Sequence, residues 1–97
     1  MNNSFIIIPN DLLQNSNLSY GAILLLGIIY SSSKKLGYAY ANNNYYAKKL
    51  SCSTRNVTKL IKELLCNNFI EIENSKSYKR KIHVRYKFPS SKKNISL

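Results

Sequence analysis

Ninety-seven residues are enough for one domain with a modest core. Fifteen Lys and Arg against four Asp and Glu leave a formal charge of +11, which points to a polyanionic partner and leaves few carboxylates for catalysis. The cations are segregated: residues 1–33 contain no Lys or Arg, so one part of the chain reads as scaffold and the part from Lys34 onward as contact surface.

Residues 1–4 read as a flexible N-terminus. Phe5 to Ile8 is a short β-branched run ended by Pro9, which cannot donate to a sheet ladder, so an extended segment is expected there. Asn10 is placed to cap a brief helical turn through Asp11, Leu12 and Leu13, with Gln14 to Asn17 as a polar loop. Ser19 then caps a long helix over roughly Tyr20 to Ser33. Ala22, Ile23, Leu24, Leu25, Leu26, Ile28, Ile29 and Tyr30 leave it almost no polar face, the mark of a central helix packed on several sides. Its apolar stretch, Tyr20 to Tyr30, is shorter than the roughly 20 residues needed to cross a bilayer. Gly21 and Gly27 allow neighbouring groups to approach, and Gly37 is the expected left-handed residue beyond the helix end. Tyr38-Ala39-Tyr40 is a candidate short strand, to be paired with a later hairpin.

Residues 43–62 carry the densest signal. They read as a short helix, a turn at Ser51-Cys52-Ser53, and a longer helix. One of Asn42, Asn43 and Asn44 caps the first helix, and Ser53 caps the second. Tyr46, Ala47, Leu50, Cys52, Val57 and Leu60 fall at the inward positions of a helix-turn-helix pair. Val57, Leu60, Ile61, Leu64 and Leu65 form an amphipathic stripe, and Thr54, Arg55, Thr58, Lys59 and Lys62 point away from it. Asn67-Asn68 closes this helix, with Asn in the place usually held by Gly.

Phe69 to Glu73 alternates apolar and polar residues, as does Lys81 to Phe88, and Asn74 to Arg80 between them is polar and basic. This is a β-hairpin. Ile70, Ile72, Ile82, Val84, Tyr86 and Phe88 are expected to face the core, with Glu71 and Glu73 paired across to Lys81 or Arg85. A basic hairpin directly after a helix-turn-helix is a wing. The expected fold is therefore α+β and mainly helical, a winged helix-turn-helix with a three-helix core and a C-terminal β-hairpin over residues 5–88. Residues 89–97 form a polar tail with Lys92 and Lys93.

Catalytic and metal chemistry lack their residues. Asp11 falls on the N-terminal segment, Glu63 on a helix and Glu71 and Glu73 on the outward face of a strand, and His83 alternates outward with no carboxylate expected beside it. Gly21, Gly27 and Gly37 are isolated, so no glycine-rich phosphate loop exists. Cys52 and Cys66 are separated by thirteen residues, beyond disulfide reach along a helix rising about 1.5 Å per residue, and they are read as small core residues of a reducing compartment. No enzyme activity, cofactor, metal or small-molecule substrate is expected. The N-terminus lacks the basic region of a signal peptide, which gives a cytoplasmic expectation with no membrane partner.

Several features together resemble a known family: Ile8-Pro9 before a short helix, Leu18-Ser19 opening the apolar helix, and Gly37-Tyr38 before Asn42-Asn43-Asn44. Ser53-Thr54-Arg55-Asn56-Val57 then opens the second helix of the pair, and Ile70 starts the wing. The chain is similar, over roughly residues 5–88, to the winged helix-turn-helix domains of replication initiators from plasmids, phages and other mobile elements of low-GC bacteria. It departs from them in having Ser51 at a turn position usually held by Gly, and residues 1–97 contain no helicase-recruiting domain. The resemblance implies double-stranded DNA as partner, and replication initiation or its control as the process. A homodimer and contacts with replication proteins are compatible with it.

On this reading the second helix enters the major groove. Arg55 reads a guanine edge, supplemented by Ser53, Thr54, Asn56 and Thr58, while Lys59 and Lys62 meet phosphate. Asn43, Asn44, Lys48 and Lys49 on the preceding helix contact the backbone, and Lys76, Lys79, Arg80 and Lys81 lay the wing along the backbone or a minor groove. Three alternatives stand beside it: a small transcriptional regulator of the same fold, a single-strand binder stacking bases on Tyr38, Tyr40, Tyr45, Tyr46 or Tyr78, and a winged-helix protein-interaction module.

Overall fold

The computed structural model describes residues 8–76 and 79–88. The expected extended segment at Phe5–Ile8, apart from Ile8, lies outside them, as do residues 1–4, Tyr78 and the tail at 89–97. Among the described residues, four helices are followed by a two-stranded antiparallel hairpin, a small winged helix-turn-helix fold: α1 (Asn10–Asn15), α2 (Tyr20–Ser33), α3 (Asn43–Leu50), α4 (Thr54–Cys66), β1 (Ile70–Glu73) and β2 (Lys81–Val84).

α1 differs from expectation at both ends. Pro9, not Asn10, occupies the capping position, and the helix continues to Asn15. Proline suits a helix start because the first N–H groups have no partner in any case. The Ser16 hydroxyl donates to the Leu12 carbonyl and closes the far end, while the Leu12 side chain is buried against α2.

α2 is the beam of the domain. Ser19 Oγ accepts from the Ala22 N–H at 3.3 Å, as its sequence position requires. Ala22, Ile23, Leu25, Leu26, Ile28 and Ile29 are buried, and only Tyr20 and Leu24 among its large apolar residues face solvent. A Cβ on Gly21 would lie 3.2 Å from Leu60 Cδ2, so the missing side chain lets α4 seat closely. Gly37 adopts φ 85° after the helix, and its N–H donates to the Ser33 carbonyl.

The expected strand at Tyr38-Ala39-Tyr40 is a single bridge. Ala39 exchanges both backbone hydrogen bonds with Ile82, at 2.9 and 2.7 Å. The ladder stops there because the next carbonyl, that of Ala41, accepts from Arg80, and Asn42 is already the cap of α3.

Asn42 Oδ1 accepts the Tyr45 N–H, and Ser53 Oγ accepts the Asn56 N–H, so both helices of the pair start where side-chain capping dictates. The turn accepts its non-Gly residue: Ser51 sits at φ 54°, ψ 47°, a left-handed conformation costing about 1 kcal/mol for a residue with a Cβ. Val57, Leu60, Ile61 and Leu64 are buried, but the stripe ends there, with Leu65 37% exposed. Cys66 is also exposed, against the expectation of a core thiol, and Cys52 is half-buried in the turn. α4 outruns the body that covers it, since the chain reverses immediately after Cys66 through Asn68 at φ 63°.

In the hairpin, Ile70 pairs with Val84, Glu71 with His83, Ile72 with Ile82 and Glu73 with Lys81. β2 is half the expected length. Beyond Val84 the Arg85 N–H donates to the Phe69 carbonyl, and the partner strand has then run out. Tyr86 and Phe88 instead pack as an aromatic cluster with Phe69 and Tyr30, the Phe88 ring stacked on Tyr30 at 4.0 Å. Glu71 pairs with Arg85 at 3.3 Å as expected, whereas Glu73 meets His83 at 3.0 Å instead of Lys81. His83 therefore does have a carboxylate beside it, a correction that follows from diagonal pairing across the twisted hairpin. No helix among the described residues is long and apolar enough to cross a membrane.

Candidate nucleic-acid interface

The face of α4 opposite the buried stripe is built from Thr54, Arg55, Asn56, Thr58, Lys59 and Lys62, all exposed. Arg55, Thr58, Lys59 and Lys62 recur at helical spacing, so they form one strip along the helix. No acid lies on α4 before Glu63, and Glu63 turns away from the strip. Its carboxylate accepts the Ser19 N–H at 2.6 Å and the Ser19 hydroxyl at 2.8 Å, tying the start of α2 to α4. A carboxylate at that position also complements the positive end of α2. Glu71 and Glu73 are held by Arg85 and His83 on the hairpin. The exposed strip is consequently cationic along its length.

α3 presents Asn44, Lys48 and Lys49 to solvent, with the Lys49 ammonium 5.6 Å over the Tyr45 ring. Asn44, Lys48, Ser51 and Thr54 rim an open depression of about 570 Å³ at the elbow, floored by Ala47 and Cys52. Ser53, as the α4 cap, stands beside it. On the wing, Lys76 and Lys79 are exposed, and Lys81 is half-buried with its ammonium 4.8 Å over the Tyr38 ring. The tyrosines offered as base-stacking platforms are unequal: Tyr46 is wholly buried and Tyr38 is covered by Lys81, while Tyr40 and Tyr45 are 64% and 42% exposed.

Three proposed contact residues, Arg80, Asn43 and Thr58, are bonded to one another within the protein. Arg80 is half-buried, donating to Asn43 Oδ1 at 2.9 Å and to the Ala41 carbonyl at 2.7 Å. Asn43 Nδ2 donates in turn to Thr58 Oγ1 at 3.3 Å, and the Thr58 hydroxyl donates to the Thr54 carbonyl at 3.1 Å. Charge alone does not distinguish the middle residue of the basic run Lys79-Arg80-Lys81. Glu63 did carry a signal, as the one acid on a basic helix.

Burial lowers the pKa of Arg80, opposed by the nearby Tyr46. Burial pushes Tyr46 up to about 12, with Arg80 opposing and Tyr45 adding to the shift, and its buried hydroxyl has no hydrogen-bond partner among the described residues. The unfolded chain, with a tyrosine pKa near about 10, loses this proton first. Stability from Tyr46 is thus intact below about pH 10 and falls as pH rises through about 12, by about 2–3 kcal/mol in all. Urea unfolding of wild type and Tyr46→Phe, at neutral and strongly alkaline pH, checks this. The variant is expected to be stabilised by about 1 kcal/mol at neutral pH, since an unpaired buried hydroxyl is removed, and to lose less on alkalinisation. Equal alkaline losses in both proteins would refute the assignment.

No curated protein and no solved structure matches the chain. A family described as a helix-turn-helix domain matches residues 16–70, from the loop before α2 through the first residue of β1 and so across the helix pair just described. That match spans more than half of the 97 residues, and the chain belongs to the helix-turn-helix domain family.

Proposed function

We propose that the protein binds double-stranded DNA at a specific sequence, with α4 in the major groove and the basic wing on the backbone or in an adjacent minor groove. The observation that carries this is the acid-free strip Arg55, Thr58, Lys59 and Lys62 on the exposed face of a helix-turn-helix second helix. Arg55, in the first turn of α4, is the reader of a guanine edge. Thr54 and Asn56 flank it, and Lys59, Lys62, Lys48, Lys49, Asn44, Lys76 and Lys79 meet phosphate. Replication initiation or its control on a plasmid, phage or other mobile element is the process we assign, supported by the resemblance of residues 5–88 to initiator domains.

Selection of a duplex from a random pool, followed by affinity measurement, tests the reading. Arg55→Ala is expected to cost about 1–3 kcal/mol on the selected duplex and to relax preference at one base pair. Lys79→Ala is expected to weaken selected and scrambled duplexes alike. Equal losses on both duplexes for Arg55→Ala would remove that residue from the reading set. Placement of the selected site in an origin-like repeat array supports the initiator role, and placement at a promoter supports a transcriptional regulator.

A further inference from the structure

We infer that Arg80, Asn43 and Thr58 form a strut that locks the wing to the recognition helix, and that Arg80 is a positioning residue with no phosphate contact of its own. The inference rests on the DNA-binding reading above for its functional consequence, and on geometry alone for the strut. Arg80 closes the hairpin loop immediately before β2, Asn43 is the first residue of α3, and Thr58 lies in the second turn of α4. The hydrogen bonds joining them span 37 and 15 residues of sequence, so three separate elements meet at one amide side chain.

Donors and acceptors run in one direction along the strut. A guanidinium only donates, so it requires the Asn43 oxygen, and this turns the Asn43 NH₂ toward Thr58. The Thr58 hydroxyl, accepting that bond, donates onward to the Thr54 carbonyl in the first turn of α4. The second arm of the guanidinium holds the Ala41 carbonyl and fixes the segment leading into α3. Both partners of Arg80 are neutral oxygens, and the group is half-buried. Lys76, on the same hairpin loop, is exposed by contrast. The rest of the sheet is braced from behind, β2 on α2 and β1 on the end of α4. Arg80 supplies the cross-tie on the side of the exposed α4 strip, and Lys cannot replace it, because one ammonium does not reproduce two diverging planar donors.

The test uses Arg80→Lys, Asn43→Ala and the double variant of the full chain. Affinity is measured for a duplex selected by the wild type from a random pool, and amide hydrogen exchange is measured at Lys79, Arg80 and Lys81 without DNA. Each single variant is expected to bind about tenfold more weakly, with the double variant no weaker than Arg80→Lys. Wing exchange is expected to accelerate in both. Wild-type affinity in Arg80→Lys, or losses that multiply in the double variant, would overturn the strut and return Arg80 to a phosphate-contacting role. Unchanged wing exchange would overturn it irrespective of DNA. If the wild type selects no duplex while both variants accelerate wing exchange, the strut stands and the DNA-binding reading fails alone.

Discussion

Leu64→Ala is expected to lower the free energy of unfolding by about 3–5 kcal/mol, while Leu65→Ala, one residue along the same helix, costs under about 1 kcal/mol. Leu64 has no exposed surface and lies in the cluster with Leu25, Leu26 and Ile29, whereas Leu65 is 37% exposed at the open end of α4. The first truncation removes the transfer free energy of a whole side chain and leaves a cavity; the second removes atoms already partly wet. A domain of this size has about 5–15 kcal/mol of stability, so Leu64→Ala consumes a large fraction of it. The thermal midpoint is expected to fall by about 15–25 °C. Urea unfolding followed by far-ultraviolet circular dichroism measures both variants. Equal losses at the two positions would contradict the packing of α4 described above. Below its own midpoint, Leu64→Ala should still bind DNA, because none of the exposed strip is altered.

The pair also shows where sequence reasoning stops. The heptad-like stripe treats Leu64 and Leu65 as equivalent, because periodicity gives the face of a helix and not the extent of whatever covers it. Cys66, read as a core thiol because it lacks a disulfide partner, is exposed, one residue before the reversal at Asn67-Asn68. Local chemistry was far more legible. Ser19, Asn42 and Ser53 cap the helices they precede, and Gly37 and Asn68 take the left-handed positions, because each depends on neighbours within a few residues. Which hairpin residues face the core followed from alternation, but the end of β2 did not, since β2 can pair only as far as Phe69 and β1 allow.

At the interface, the exposed face of α4 was readable because it is the complement of the buried stripe. The side-chain bonds that cross the fold were not readable. Glu63 reaches Ser19 across 44 residues, and Arg80 reaches Asn43 across 37. Such contacts depend on how elements are placed relative to one another, and no pattern within either segment encodes that placement. A basic run therefore looks uniform in charge although Lys79 is exposed, Arg80 is held by Asn43 and Ala41, and Lys81 lies over the Tyr38 ring.

That division gives the prediction of largest magnitude. Six lysines, Lys48, Lys49, Lys59, Lys62, Lys76 and Lys79, are exposed on the helix pair and wing, and each is assigned a phosphate. Releasing about one counterion per contact gives a slope of roughly −5 for log affinity against log salt. Binding to any duplex should accordingly fall about 10³-fold between about 50 and 200 mM monovalent salt. Lys59→Ala and Lys62→Ala together should reduce the slope by about 2 and weaken random and selected duplexes equally. Arg80→Lys should behave differently: its charge is kept, so weakened binding there reports geometry. A slope near −1 would mean that the +11 charge is surface composition and that the helix pair does not track a duplex backbone. A slope near −5 shared by duplex and oligo-dT would instead move the interface toward single strands, with the exposed Tyr40 and Tyr45 rings as the stacking groups to mutate next.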